Sequence, residues 1–121
     1  MGIIEASVEQ LLTTFFLLLG AHFLADFVMQ TDFIAREKNP KTAKVGKPGF
    51  ILFMHCYLHA SLTMLITRSW LCTFVMLASH YVIDEAKNNE VIDFTTDQAL
   101  HVTIITLLTF VSYFSGMGKV S

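Results

Sequence analysis

Apolar residues gather into four long stretches along this chain, separated by polar connections. The stretches cover about residues 11–34, 50–67, 69–86 and 98–115. A helix needs about 20 residues, with a range of ~17–25, to cross a hydrocarbon core. The first stretch exceeds that comfortably, and the second and fourth are adequate. The apolar run of the third, Trp70 to Asp84, is short, and it spans only if Ser69 or the Asp84–Lys87 segment continues the helix. The fourth is rich in β-branched residues (HVTIITLLTFV), a composition that also suits a strand. An isolated strand in lipid leaves its backbone groups unsatisfied, so helix is expected. The pattern predicts an all-α fold: an integral membrane four-helix bundle, up-down-up-down, in a single transmembrane domain.

Composition sharpens this. The 121 residues are 54% hydrophobic and 15% charged, against ~25% charged in soluble domains, and mean hydropathy is +0.58. A very apolar soluble helical domain is the alternative. The net charge of −2 includes no broad basic surface and gives no reason to expect nucleic acid as a partner. Cys56 and Cys72 lie in apolar runs and read as small buried hydrophobes, with no CxxC spacing. The first ten residues hold two Glu and no Lys or Arg, unlike the basic start of a cleavable signal peptide.

The connections set an orientation. Residues 36–49 (REKNPKTAKVGKPG) hold one Arg, four Lys, two Pro and two Gly, a polar helix-breaking loop. A second polar loop covers about 87–96, whereas the link near Thr67–Ser69 is very short. Arg36, Lys38, Lys41, Lys44, Lys47 and Lys87 fall on one side, and Arg68 and Lys119 on the other. The positive-inside rule places both long loops on the cytoplasmic side of a bacterial inner membrane and both termini outside it.

On this map four histidines share a level. His22 comes late in the first stretch, His55 early in the second, His80 late in the third and His101 early in the fourth. Three carboxylates join them at helical spacing: His22–Asp26, His80–Asp84 and Asp97–His101 are each four residues apart, hence on one helix face. An ionised side chain in a membrane span costs at least ~2.5 kcal/mol. No Lys or Arg lies inside the spans to offset three aspartates. A divalent metal would supply the missing charge. The candidate ligands are His22, Asp26, His55, His80, Asp84, Asp97 and His101. Zinc, as one or two ions, is the expected cofactor, with manganese and iron as alternatives. A catalytic zinc takes three protein ligands, so seven residues suffice for two ions, or for one ion with supporting carboxylates. The plainer alternatives are helix-to-helix hydrogen bonding by each His and simple ion pairing in each His–Asp pair.

His59 lies one turn from His55, but Cys56 follows the first His where HExxH has Glu, so the zincin motif is absent. His59 reads as a packing or supporting residue one turn deeper. Asp32, Glu90 and Asp93 lie near loops and read as solvated. Gln30 and Gln98 flank the ligand candidates and are placed to hydrogen-bond either those ligands or a substrate. Lys38 and Lys87, at the cytoplasmic mouth, either set topology or bind an anionic head group.

The series HFLADFVMQTDF, a mid-chain His, HYVIDEAK and DQALH resembles a family of small bacterial and phage membrane proteins, domain of unknown function 3307. The resemblance runs from about His22 to His101 and implies no activity. The first motif is also similar to the H-x3-D-x5-H element of helical zinc phosphodiesterases, with Asp32 in place of the last His. The chemistry points to an intramembrane metal-dependent hydrolase acting on a lipid or lipid-linked phosphoester, with Asp26 or Asp97 as general base. Two other classes remain: a metal-ion or proton transporter or sensor, and a non-catalytic module with a structural metal. The expected partners are membrane lipid and, because so small a bundle has little room to enclose a substrate, a second copy in a homodimer.

Overall fold

The computed structural model describes residues 3–117. Lys119, one of the two basic residues counted on the far side of the membrane, lies outside the described residues. Among the described residues the chain is all helical. α1 (Ile3–Phe23) runs into a π-helical segment (Leu24–Val28), followed by the short α2 (Asp32–Glu37) and then α3 (Pro48–Thr67), α4 (Trp70–Asn88) and α5 (Phe94–Met117).

Among the described residues, three helices have the length and apolar composition to cross a membrane: Ser7–Val28, Pro48–Thr67 and Phe94–Gly116. α4 is 19 residues long but is not among them, because its second half carries Asp84, Glu85 and Lys87. The stretch 11–34 is also not one continuous helix. The amide of Met29 bonds Leu24 O at 2.8 Å, the five-residue reach of a π turn. Thr31 then caps a separate helix, its Oγ1 accepting from Ile34 N at 3.2 Å.

Local chemistry explains the other boundaries. Pro48 opens α3, where its missing N–H costs nothing. Arg68 closes α3 in the left-handed region at φ 54°, and Ser69 caps α4 by accepting from Cys72 N at 3.2 Å. The reversal between the two helices therefore takes only two residues. Asp93 accepts from Thr96 N at 2.8 Å, so this loop carboxylate caps the start of α5.

α1 packs on α3 and α5, and α4 packs on the same two helices. The interior divides into two ends. Leu18, Cys72, Met76, Ile105 and Leu108 form an apolar core, flanked by Phe15, Leu19, Ile66, Ile104 and Val111. The other end is polar: His22, Asp26, His55, His59, His80, Asp84, Asp97 and His101 are all buried. The outer surface is the reverse of a soluble protein's. Phe16, Leu65, Trp70, Phe110 and Phe114 are exposed, as expected of helices that face hydrocarbon. Between such helices the cohesive force is close packing and polar contact, since lipid tails are as apolar as the core.

The loop after α2 is built around one carboxylate. Glu37 is 0% exposed. Its oxygens accept from Lys44 N at 3.0 Å, Val45 N at 2.6 Å and Arg36 Nε at 2.7 Å. The Lys44 amide first, then the Arg36 guanidinium and the Val45 amide, hold its pKa down at about 2, from an ordinary 4.5. A lowered folded-state pKa stabilises above the unfolded value and loses that contribution as pH falls toward the folded one. Hydrogen-exchange protection at the Lys44 and Val45 amides should thus hold above pH 4.5 and disappear as pH approaches 2. Glu37→Gln should lose much of it already at neutral pH, with the helical amides unchanged.

Candidate metal centre

The centre is assembled by four helices and by the π segment between α1 and α2. In that segment one extra residue per turn changes the direction in which side chains leave the helix. Asp26 sits there, 8% exposed, and its two oxygens face different partners. Oδ1 lies 3.0 Å from His59 Nε2, 3.1 Å from His55 Nε2 and 3.6 Å from His80 Nε2. Oδ2 lies 3.5 Å from His22 Nε2 and accepts from Gln98 Nε2 at 3.3 Å.

These four donors have metal-like spacing. A tetrahedron with arms of ~2.0–2.1 Å, the usual zinc–nitrogen and zinc–oxygen lengths, has edges of roughly 3.3 Å. Three edges of the set Asp26, His55, His59 and His80 measure 3.0, 3.1 and 3.6 Å. A fourth, between His55 Nε2 and His80 Nε2, is 3.3 Å. Three other groups of buried donors are equally close-set: His22, His80 and His101; Cys56, His80 and Asp84; and Asp26, Asp97 and His101. Within each group the ligand atoms lie within 4.8 Å of one another. The buried clusters thus have the donor chemistry and proximity that a metal ion requires.

The remaining partners tie the cluster to the loops. Asp84 Oδ1 is 3.3 Å from His101 Nε2, and Oδ2 is 3.5 Å from His80 Nε2. Lys38 reaches in from the loop after α2, and its Nζ donates to Asp84 Oδ2 at 3.0 Å. Asn88 holds the lysine's backbone, its Nδ2 donating to Lys38 O at 3.0 Å. Lys87 is more distant, with Nζ 4.0 Å from Asp97 Oδ2 and 5.1 Å from the centre of the Phe94 ring. Gln98 links three residues: Oε1 faces His22 Nε2 at 3.0 Å, while Nε2 donates to Asp97 Oδ2 at 3.0 Å as well as to Asp26. Two cluster atoms, His80 Nδ1 and Asp97 Oδ1, are buried without a hydrogen-bond partner, although His101 Nε2 lies 3.4 Å from the latter.

The seven residues singled out as ligands from the sequence therefore lie together. Three features were not legible there. His59 is not a peripheral packing residue: its ring stacks on His80 at 3.7 Å between centroids, and its Nε2 makes the shortest contact to Asp26. Its four-residue spacing from His55 is visible in the sequence, but the shared level there joins only His22, His55, His80 and His101, and His59 reaches Asp26 from one turn away. Cys56 is fully buried beside His80 and Asp84, not merely among hydrophobes. Finally, the aspartates are not without cations, because Lys38 enters from outside the spans. Gln30 stands apart: its Oε1 is buried and accepts no hydrogen bond.

The family described as "Protein of unknown function (DUF3307)" matches residues 14–119, most of the chain. The chain belongs to the DUF3307 family. No curated protein and no solved structure is significantly similar to it. In this DUF3307 protein all four buried donor groups lie inside the matched region.

Lys38 and Asp84 allow a direct test of how the cluster balances its charge. Removing one partner of a buried ion pair typically costs about 3–5 kcal/mol. In metal-free protein, Lys38→Met should destabilise by about that amount, read from detergent-induced unfolding. Lys38→Met combined with Asp84→Asn should recover much of the loss. An additive double variant would show that the pair is not coupled.

Proposed function

We propose that the cluster binds a divalent metal and that the protein is a metal-dependent hydrolase acting on a lipid or lipid-linked phosphoester near the cytoplasmic membrane face. The observation that carries this is the buried set Asp26, His55, His59 and His80, whose ligand atoms lie within 4.8 Å of one another, with the three imidazoles 3.0–3.6 Å from one Asp26 oxygen. Imidazole and carboxylate donors suit zinc best, with manganese or iron as alternatives. The ion supplies Lewis acidity, both to a phosphoryl oxygen and to water.

The chain's own residues divide the remaining work. Asp26, enclosed by imidazoles on both oxygens, acts as a ligand, and its two faces suit one ion or a bridge between two. Asp97 is the better-placed general base of the two carboxylates first considered, because Oδ1 has no hydrogen bond to give up before taking a proton. Gln98 holds His22 and Asp97 in register. Lys38 and Lys87 neutralise phosphate oxygens, Lys38 by exchanging Asp84 for substrate. The charge bias of the loops supports an up-down-up-down arrangement in a bacterial inner membrane, with both loops cytoplasmic and the termini outside.

One observation favours a second reading. Every candidate ligand is buried, and closed sites are the rule for structural metals. Transport is less favoured. Beyond the cluster, the hydroxyls of Thr63, Thr73 and Thr109 each bond a carbonyl four residues back on their own helix. Their protons are therefore committed to the helix backbone, which disfavours them as steps in a polar path.

Elemental analysis of detergent-purified protein should find one or two transition-metal ions per chain. His59→Ala and Asp26→Asn should each weaken metal affinity by at least about 10–100-fold, the usual cost of losing even an outer partner of a metal site. Chelation should abolish phosphoester turnover in liposomes. Full turnover after chelation rejects the hydrolase. Unfolding on chelation, with no phosphoester turned over by the loaded protein, leaves the structural metal in its place.

A further inference from the structure

A cavity of about 370 Å³ opens between the end of the first span and the first half of α3. Met29, Phe33 and Ile34 form one wall, and Ile51, Met54 and Leu58 the other. Only Thr31 and His55 add polar atoms to this lining. The volume is in the usual range for small-molecule sites, ~300–1,000 Å³. His55 belongs both to this wall and to the four-donor metal set. A second cavity of about 330 Å³, between α3 and α4, is lined by residues such as Met64, Leu65, Trp70 and Phe74, and it touches no member of the cluster.

We propose that the cavity beside His55 is the seat of one hydrocarbon chain of the lipid substrate, entering sideways from the bilayer with its polar end toward the metal centre. Two physical points select this occupant. The cavity is apolar, and the surrounding membrane supplies hydrocarbon chains at bulk concentration, so mass action favours a chain over scarcer ligands. Its polar boundary includes a metal-set histidine, so an amphiphile lying here brings its head group beside that histidine. The break at residues 29–31 shapes this opening: had the first helix run on to Ile34, Met29 and Phe33 would leave it at a regular helical pitch, with no capped turn between them. Gln30, between the lining residues Met29 and Thr31 in sequence, has a buried oxygen with no hydrogen-bond partner. The substrate class follows as a membrane amphiphile whose phosphoester lies close to the root of its chain. This rests on the metal-centre reading for its chemistry, but not for the chain site itself.

The test is photolabelling in nanodiscs of phosphatidylethanolamine and phosphatidylglycerol. A trace phosphatidylglycerol carries a diazirine in one acyl chain, and peptide mapping is combined with metal analysis of the same samples. Label should concentrate on residues 29–34 and 51–58, above the level at lipid-facing Phe16 or Phe110. Met54→Trp, at a half-exposed position that tolerates substitution, should cut that labelling about tenfold, the effect of ~1.4 kcal/mol of overpacking. Ile34→Trp on the opposite wall should do the same. Leu65→Trp in the second cavity should leave it unchanged. Uniform labelling of the surface, labelling indifferent to both tryptophans, or protein–protein crosslinks covering this face would overturn the proposal. Site-specific labelling in protein that carries no metal would support the chain site and reject only the metal centre.

Discussion

The arrangement depends on a carboxylate kept out of water. Asp26 lies in the interior of a bundle whose outer face is apolar, where an ionised group is stable only with compensation from every side. Three imidazoles meet one of its oxygens, and a fourth imidazole and an amide meet the other. That requirement draws α3 and α4 to the end of the first span. It also explains the π segment, which places Asp26 among residues of three other helices without ending the helix on a proline or glycine. Asp84 meets the same demand differently, with three imidazoles and a lysine brought in from a loop.

The bundle therefore has two ends with different physics. At one end, Leu18, Ile105 and Leu108 are held by close packing, which in lipid replaces the hydrophobic effect as the cohesive force. At the other, cohesion is electrostatic and is only as good as the match between donors and acceptors. A cation in the cluster changes that match more than any single hydrogen bond can. The Glu37-centred loop belongs to the second end: by gathering two amides and Arg36 it fixes the chain from which Lys38 reaches Asp84. Loop order and charge balance are coupled through two adjacent residues.

Function follows from that division. Buried histidines and carboxylates at metal spacing could serve a staple or a catalyst equally well, and the difference lies in access. His55 is the feature that argues for access, because it borders an apolar cavity between the end of the first span and α3. The cavity of similar size between α3 and α4 has no such neighbour and is an internal comparison.

Much of this was determined by the sequence alone. Helical apolar stretches, the DUF3307 membership and the pairing of His22 with Asp26, His80 with Asp84 and Asp97 with His101 are all local properties, set by composition or by four-residue spacing on one helix. The basic loop was visible for the same reason, whereas the loop expected at 87–96 is shorter, because α4 runs to Asn88 and α5 begins at Phe94. Tertiary structure alone decided which faces meet and at what depth. His59 joined the cluster because Asp26, turned by the π segment, stands between it and His55. Cys56 came beside Asp84 because α3 packs on α4. Lys38 became a partner of Asp84 because the loop folds back over the helix ends. None of these contacts spans fewer than 28 residues along the chain, and no periodicity reports on pairs so far apart.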